Sequence, residues 1–517
     1  MLKKTRIVWF VLMIVIMIVI FIFSNQSGET SHAISNAVAE SVNIEGNQWQ
    51  EASAMPLAFG LNLRNWAHIG LYAFLGFATV MWIWSWWGAS LICYGYACFD
   101  EFHQLFVGSR GASITDTFLD GIGFGVVILI WLATVRIIRR RNEGNTVRIA
   151  MLGHKRIPSR EGGIEIVVDE LSTRMAALGH SVTAYNRKGR HVSGGKVHKL
   201  KEYKGVKIKE VFTIDKKGFA ALTSSFFACI RAGFGEYDVV HIHAEGPAFF
   251  SFIPKILGKK VVVTVHGLDW DRAKWGKFAS WYIRTGEKNA VKFADEIIVL
   301  SQGVKDYFWN TYKRKTQFIP NGVNRPEIKE VQVIEKFGLE KDSYVLYLGR
   351  IVPEKGEHYL IKAWKEIETD KKLVIAGGIS DTAGYGAELK GLATGDDRII
   401  FTGFVQGRML EELYSNALIY CLPSDLEGMP LSLLEAMSYG NCCVVSDIPE
   451  CAEVVEDKAV TFEKSNVKDL KEKLETLLRD REAIEKYKCE ATDFICNKYS
   501  WDDVVAATLE LYKKKRN

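Results

Sequence analysis

The sequence predicts two structural classes in one chain: an α-helical membrane domain of four transmembrane helices, followed by an α/β part made of two Rossmann-like domains. Three observations carry this. Long apolar runs rich in Trp crowd residues 1–140, whereas 141–517 mix charged and apolar residues as a soluble protein does. From residue 147, short β-branched runs alternate with segments of helical periodicity, the pattern of a parallel sheet with crossover helices. The alternation restarts after about residue 327 and gives a second α/β unit of similar size. A chain of 517 residues has room for several domains, and a net charge of +5 gives no case for nucleic acid. The nine cysteines show no C-x-x-C spacing, so neither a zinc nor a redox pattern is present.

The membrane domain is expected over 1–138. Ile7–Phe23 holds no charge and as a helix is about 26 Å long, enough for a thin bilayer core. Trp66–Trp87 carries one His and no formal charge, a third apolar segment runs from about Ala89 to Phe106, and a fourth from about Phe118 to Val135. Lys3, Lys4 and Arg6 precede the first segment, and Arg136, Arg139, Arg140 and Arg141 follow the fourth. Four passes put both basic clusters on one side, which the positive-inside rule makes the cytoplasm. A cleaved signal peptide is the rival reading of the first segment; its candidate site, Ala37-Val38-Ala39, lies well beyond the apolar run.

The third segment ends in Asp100, Glu101, His103 and Gln104, with Arg110, Asp116 and Asp120 after it and His68 on the second segment. Ionisable groups at membrane depth face a protein interior or a wet cavity. The plainer alternative is that they sit in the outer headgroup layer and neutralise one another.

Residues 139–146 read as a basic linker, a topology and headgroup anchor. The first Rossmann-like domain follows over 147–326. It opens with a strand at Val147–Gly153, a loop at Gly162-Gly163, a helix at Ile164–Leu178 and a second strand from Gly179. Further strands are expected at 239–242, 261–265, 297–300 and 317–319. The second domain, 327–500, has candidate strands at 344–348, 372–375, 399–401, 419–422 and 443–446. A closing amphipathic helix is expected in 501–517.

Candidate chemistry gathers at loops that follow strands. Glu427 lies in a Gly/Pro turn and Glu435 eight residues on, in an apolar stretch of helical character. The turn Glu427-Gly428-Met429-Pro430 should end a strand and open a helix, so free N–H groups near Met429–Leu431 would face a ligand. That suits a diphosphate, with a carboxylate on each side for sugar hydroxyls. The alternative is a loop Glu and a helix Glu with no shared task. Arg350 and Lys355 in the loop 349–356 supply fixed cations for a leaving diphosphate, or else belong to a solvated basic loop. His266 stands just past a strand end, where it contacts a ligand or merely caps the loop. Gly162 and Gly163 leave space for a phosphate or acceptor but form no G-x-G-x-x-G fingerprint. Asn321-Gly322 is first a turn signal. Tyr185-Asn186-Arg187 faces either acceptor or solvent. His241-Ile-His243 lacks a third ligand, so no metal is expected.

Two resemblances add to this. Residues 5–138 resemble the VanZ-like membrane family through Phe23-Ser24-Asn25-Gln26-Ser27, Arg64, His68, Tyr72, Asp100-Glu101-x-His103-Gln104, Arg110 and Asp116. That family brings no defined reaction; its carboxylate–His–Arg cluster would bind a polyprenyl phosphate or glycan headgroup, or serve as a structural plug. Residues 147–515 resemble the retaining nucleotide-sugar glycosyltransferases of family 4, of GT-B architecture, through the Glu427-x7-Glu435 element and the Arg350/Lys355 loop. By this resemblance Arg350 and Lys355 hold the diphosphate, Glu427 the donor sugar and Glu435 the ribose. His266 would contact the sugar near the reacting carbon, Asn321-Gly322 would lie near the diphosphate, and the closing helix would pack back on the first domain. The string Met151–Glu165, with Tyr185-Asn186-Arg187, is similar to a bacterial branch that includes rhamnosyltransferases of capsule and cell-wall assembly. The segment His243-Ala-Glu-Gly-Pro departs from the more basic or His-rich acceptor loops of many members, so no acceptor is carried over by analogy.

Together these imply a membrane-tethered retaining glycosyltransferase in a bacterial cell membrane, multi-pass, with its N-terminus and catalytic part cytoplasmic. It would move a hexose or deoxyhexose from a nucleoside diphosphate sugar, with no cofactor or metal, to a lipid-linked or cell-surface polysaccharide precursor, polyprenyl diphosphate-linked in one form. Phosphorylase or synthase chemistry of the same family is a further option. The alternatives from other classes are a VanZ-type resistance or lipid-handling factor with a sugar-nucleotide-binding regulatory domain, and a catalytically silent sensor.

Overall fold

The computed structural model describes residues 3–26, 63–83, 85–107, 114–142, 146–189, 199–216, 218–268, 270, 276–378 and 383–514. The chain divides into two compact units, Met1–Asn145 and Thr146–Asn517.

The first unit holds the helices α1 (Lys3–Ser24), α2 (Leu63–Ile83), α3 (Trp86–Gln104) and α4 (Ile114–Asn142). Its surface is the inverse of a water-soluble bundle. Ile7, Phe74, Leu91, Phe118 and Leu129 point outward, while Ala78, Ala89, Cys93 and Ala97 are buried between helices. With hydrocarbon outside, helices associate by close approach of small residues. Gly76 of α2 lies against Phe124 of α4 so closely that a Cβ there would stand 2.8 Å from the Phe124 Cβ. The Tyr96 hydroxyl of α3 donates to the Met17 carbonyl of α1 at 2.5 Å. All four expected segments are helical. Three windows, Ile7–Ser24, Trp66–Ile83 and Asp116–Thr134, are long and apolar enough to cross a membrane. α3 has the length, but Asp100, Glu101 and His103 near its end lower its apolarity.

The second unit contains two sheets. The first has strands β1 (Arg148–Leu152), β2 (Ser181–Arg187), β3 (Glu202–Tyr203), β4 (Val206–Val211), β5 (Val239–His243), β6 (Lys260–Val265), β7 (Glu296–Val299) and β8 (Gln317–Phe318). Their order is β3-β4-β2-β1-β5-β6-β7-β8, parallel throughout except for the β3–β4 pair. The second has β9 (Tyr344–Leu348), β10 (Lys372–Ala376), β11 (Ile399–Gly403), β12 (Ile419–Leu422), β13 (Cys442–Ser446) and β14 (Val460–Phe462). It is all parallel in the order β11-β10-β9-β12-β13-β14. Central strands are buried on both faces and so read as continuous apolar runs, as in β6 and β12. The sequence analysis did not expect the β3–β4 hairpin or β14. β4 alternates polar and apolar residues near a sheet edge, and β14 is three residues long.

The helices that matter for the site are α5 (Gly163–Ala177), α6 (Phe219–Phe234), α7 (Lys277–Phe293), α8 (Glu357–Lys365), α9 (Leu431–Ser438) and α10 (Trp501–Lys513). α10 lies on the first domain. The Tyr512 hydroxyl meets His241 Nδ1 at 2.6 Å, and Lys260 Nζ donates to the Leu511 carbonyl and, at 2.6 Å, to that of Lys514. A cation at carbonyls left open by a helix end is favourable. Arg174 of α5 adds bonds to Asp502 at 2.5 Å and Asn324 at 2.6 Å.

The Gly76 contact generates a prediction. Gly76→Leu should wedge α2 from α4 and destabilise the first unit by about 1–3 kcal/mol, whereas the same change at Gly70, where a Cβ meets nothing within 4 Å, should be nearly silent. Thermal unfolding of both variants in detergent checks the contrast.

Candidate active site

Two backbone loops meet between the sheets. One follows β6 and carries His266-Gly267; the other follows β12 and carries Glu427-Gly428. A Cβ on Gly267, whose φ is +141°, would stand 3.2 Å from the Gly428 Cα, and a Cβ on Gly428 would run into the His266 carbonyl. Neither position has room for a side chain, so His266 and Glu427 come to flank the same space.

Glu427 is held from two directions. The Ser424 hydroxyl donates to Glu427 Oε1 at 2.7 Å, and Lys355 Nζ forms an ion pair with the same oxygen. Lys355 ends a short 3-10 turn and Gly356 follows at φ +72°, with its Cα pressed against the Pro423 carbonyl. Only glycine combines that backbone with that approach, and the result is that Lys355 is delivered to Glu427. Arg350 follows β9, half-buried. Its carbonyl accepts from the Tyr347 hydroxyl at 3.1 Å, and among the described residues its guanidinium has no partner.

Past Glu427, Gly428 and Met429 lead to Pro430, which caps α9, and Leu431 is the first residue of that helix. Across the cleft Gly162 caps α5 and Gly163 begins it. A Cβ on Gly163 would stand 3.4 Å from Leu431 Cδ1, so the starts of the two helices meet through the Leu431 side chain. Their unpaired N–H groups and dipoles favour an anion between them. Asn321 is buried and its Nδ2 donates to the Met429 carbonyl at 3.3 Å. Gly322 is turned the other way, toward Trp501, where a Cβ would stand 2.6 Å from the indole Cδ2.

One turn into α9, Glu435 pairs with Arg160, and the Tyr414 hydroxyl donates to its other oxygen at 3.4 Å. Arg160 comes from the loop before α5, so this ion pair bridges the two domains. A cavity of about 300 Å³ adjoins it, lined by Arg160, Glu435, Leu431, Gly322, Tyr439 and Trp501 among others.

Behind His266 runs a histidine column. His243 Nδ1 is 3.1 Å from His266 Nε2. His241, on the same face of β5, meets the Thr264 hydroxyl at 2.7 Å. Burial pushes the imidazole of His241 down to about 3 and that of His243 well below the usual range, so both are neutral at physiological pH. His243 Nε2 is buried without a partner. An N–H there would be an orphaned donor, which favours the His243 tautomer protonated on Nδ1 and donating toward His266 Nε2. Nearby, Asn186 of β2 accepts the ring of His154 at 3.0 Å and donates to the Ile157 carbonyl at 2.9 Å. It therefore braces the loop before α5. Among the described residues no group of three or more His, Cys, Asp or Glu is arranged to hold a metal ion.

Beneath Lys355 lies a buried carboxyl that the sequence did not single out. Glu357 starts α8 and accepts from the Tyr347 hydroxyl at 2.7 Å and the Tyr385 hydroxyl at 3.1 Å. Burial outweighs these bonds and raises its carboxyl to about 7.

In the first unit His68 Nδ1 lies 3.2 Å from Asp120 Oδ1, and Gln104 Nε2 donates to Asp100 Oδ2 at 3.0 Å. Asp100, Glu101, Gln104 and Asp120 are buried, together with Tyr72 and Ser24. Asp116 is half-buried at the start of α4, and the His103 ring lies 4.5 Å from that of Phe21. Arg110 lies outside the described residues. These groups come from all four helices and share one end of them, opposite the end where α1 begins and α4 finishes.

Of the residues expected to act together, the structure joins His266, Lys355, Glu427, Gly428, Met429, Leu431, Gly163 and Asn321 at one cleft, with Glu435 one turn away. Arg160, Ser424, Tyr414 and His243 emerge as partners that sequence reasoning missed. Arg160 stood in a quoted motif, but its partner is far off in the chain.

Comparison with known proteins agrees with this geometry. Residues 161–325 match the model described as Glycosyltransferase Family 4, residues 330–494 that of Glycosyl transferases group 1, and residues 9–138 that of VanZ/LLP1. An uncharacterized glycosyltransferase of Methanocaldococcus jannaschii is 26% identical over 392 residues, covering 71% of this chain and 98% of its own. Sucrose-phosphate synthase from Thermosynechococcus elongatus superposes with a TM-score of 0.62 at 20% identity, over 71% of this chain and 98% of the other. HepE of Anabaena, solved with UDP and glucose, gives 0.59 at 16% identity, over 70% and 98%. The last two likenesses establish the fold: two Rossmann-like domains in the GT-B arrangement.

The histidine column predicts a split between two variants. His243→Asn, which keeps a donor near Nδ1, should retain most nucleotide-sugar turnover. His243→Leu should lower kcat roughly tenfold or more with little change in donor KM. Steady-state kinetics of both, with ¹⁵N chemical shifts of the His266 ring, test this; equal losses in the two variants would leave His243 a packing residue only.

Glu357 predicts a pH dependence. The folded state keeps its proton up to about pH 7, whereas the unfolded chain releases it near pH 4.3. The group's contribution to stability is therefore full below the unfolded value, declines as pH rises, and is lost once pH passes the folded value. Glu357→Gln should flatten that decline. Urea unfolding should show the variant gaining on the wild type between pH 5 and pH 8, on the order of a few kcal/mol.

Proposed function

We propose that this chain, a group 1 glycosyltransferase with a VanZ-like N-terminal domain, moves a hexose or deoxyhexose from a nucleoside diphosphate sugar to a lipid-linked or cell-surface polysaccharide precursor, with retention at the anomeric carbon. The observation that carries the reading is Glu427. It is braced by Ser424 and Lys355 at the N-terminus of α9, directly across from the N-terminus of α5. A diphosphate between those helix ends meets N–H groups and dipoles already aimed at it.

The reaction then runs as follows. The incoming diphosphate draws Lys355 off Glu427, and Lys355 and Arg350 neutralise it. Glu427, relieved of its cation, accepts hydrogen bonds from donor-sugar hydroxyls, and Glu435 exchanges Arg160 for the ribose. The bond from the anomeric carbon to the phosphate oxygen breaks while the acceptor oxygen bonds to the same face. The leaving phosphate oxygen takes the acceptor proton. His266, with its tautomer set by His243, lies beside the sugar. No side chain is assigned the part of a covalent nucleophile, and no metal enters any step.

The N-terminal unit is read as a four-pass anchor in a bacterial membrane. The start of α1 and the end of α4 are both basic in sequence, which assigns both to the cytoplasm. The transferase follows α4 and so shares the compartment of nucleotide sugars, while a polyprenyl-linked acceptor shares its membrane. Tethering raises the effective concentration of one around the other.

The test is turnover by the full chain in lipid nanodiscs with a panel of UDP-, GDP- and dTDP-sugars and bacterial lipid extract. One donor should be turned over with retained configuration, and Glu427→Ala and Arg350→Ala should each lower kcat by roughly a hundredfold or more. Donor binding without turnover, or a Glu427→Ala enzyme as fast as the wild type, would reject the reading.

A further inference from the structure

The hydroxyl of Tyr347 lies beneath the loop that carries Arg350. Tyr347 is fully buried in β9, and a Cβ on Gly349 would stand 2.8 Å from its hydroxyl oxygen. The loop is therefore laid directly on that oxygen. Its flanks are tied by backbone bonds, Gly349 N–H to the Ala376 carbonyl at 3.0 Å and Ile351 N–H to the Gly378 carbonyl at 3.3 Å. Between them the Arg350 carbonyl has one donor among the described residues, the Tyr347 hydroxyl at 3.1 Å.

That hydroxyl has a competing acceptor. It lies 2.7 Å from Glu357 Oε1, the Tyr385 hydroxyl lies 3.1 Å from Glu357 Oε2, and His358 Nδ1 lies 2.8 Å from the same Tyr385 oxygen. Arg350, Tyr347, Glu357, Tyr385 and His358 thus form one file with four contacts, and each contact takes one hydrogen. The two hydroxyls bring one each, His358 brings one when protonated on Nδ1, and the carbonyl brings none. With Glu357 ionised the file is one hydrogen short. A carboxylate accepts more strongly than a carbonyl, so both hydroxyls turn to Glu357 and the Arg350 carbonyl goes without. A proton on Glu357 Oε1 supplies the missing hydrogen. The carboxyl then donates to Tyr347, and Tyr347 is free to donate to Arg350.

The surroundings let that proton come and go near neutral pH. Burial raises the carboxyl to about 7, against the pull of Tyr347, its own N–H at the start of α8, Tyr385 and Lys355. Lys355 is itself engaged by Glu427. Tyr420 of β12 and Glu427 act on Tyr347, and Glu388 of the helix Ala383–Ala393 acts on Tyr385. His358 feels Lys362, Asp425 and Glu388, and burial lowers its imidazole.

We propose that Glu357 is a positioning residue for the diphosphate site: in its protonated form it releases the Tyr347 hydroxyl to the Arg350 carbonyl and so fixes the loop that holds the Arg350 guanidinium. It rests on the part given to Arg350 in the proposed function and adds a proton-dependent support beneath it.

The experiment uses the full chain in lipid nanodiscs and compares each variant with the wild type from about pH 6 to about pH 9. It reads kcat/KM for the donor and calorimetric affinity for UDP, GDP and dTDP. Ratios to the wild type cancel the titration of the nucleotides themselves. Glu357→Gln stays uncharged and keeps an N–H for Tyr347. Its ratio should be near one at the acid end and rise roughly three- to tenfold at the alkaline end. Tyr347→Phe, which removes the hydroxyl, should start roughly three- to tenfold below the wild type and meet it at the alkaline end. Urea unfolding at each pH separates loss of fold from loss of function. A Glu357→Gln ratio constant with pH would make Glu357 a packing residue and overturn the proposal, as would a Tyr347→Phe ratio constant with pH. Should no donor be turned over, the proposed function falls and the nucleoside diphosphate affinities alone decide. The same two trends in affinity would uphold the positioning role, and flat ratios would reject it.

Discussion

The backbone contact between Gly267 and Gly428 governs the rest of the second unit. Two loops from different sheets pass each other with no side chain between them, so the C-terminal ends of β6 and β12 share one space. Open α/β sheets bind ligands beyond the carboxyl ends of their strands, and here two such ends are pressed together. The same approach brings the Leu431 side chain at the start of α9 to Gly163 at the start of α5. Asn321 fastens the Met429 carbonyl from the first domain's side. Any residue larger than glycine at position 428 would separate His266 from Glu427 and dissolve the site without altering either sheet.

Electrostatics then decides how the cleft rests when no donor is in it. A cation partly removed from water needs a counter-charge, or it costs several kcal/mol. Lys355 finds one in Glu427, and Arg160 finds one in Glu435. The pairs flank the N-terminus of α9, and each carboxylate belongs to the second domain. A ligand that brings both negative charge and hydroxyl groups satisfies all four residues at once. The phosphates take the cations and the hydroxyls take the carboxylates, so no charge is left bare during the exchange. The Arg160–Glu435 pair also ties one domain to the other.

Much of this was legible in the sequence, for reasons that can be named. β1, β6, β9 and β12 are nearly continuous apolar runs because parallel central strands are covered on both faces. Glu427 and Glu435 stood out because a turn and a helix start are local signals, and Lys355 because Gly356 marks its loop. Arg160 did not stand out as the partner of Glu435, since 275 residues separate them and no periodicity spans that distance. His243 was weighed only as a metal ligand; its bond to His266 depends on the register of β5 against β6, which the sequence does not state. β3, β4 and β14 escaped because they are short or lie at or next to a sheet edge, where one face is wet and no continuous apolar run marks them.

Two kinds of outward apolar surface occur in this chain, and their companions distinguish them. Along α1, α2 and α4 the exposed residues Ile7, Val11, Phe74 and Leu129 lie in windows long and apolar enough to cross a membrane. On α7 the exposed rings of Phe278 and Trp281 share their helix with exposed Lys277, Arg284, Lys288 and Lys292, which cannot enter hydrocarbon without large cost. A helix of the first kind has the composition of a membrane span, and one of the second kind does not. The domain that bears α6 and α7 also bears His266 and Gly163, while Lys355, Glu427 and Glu435 belong to the domain without such a face. The cleft is therefore built from one domain that carries exposed rings on two helices and one that carries the paired carboxylates.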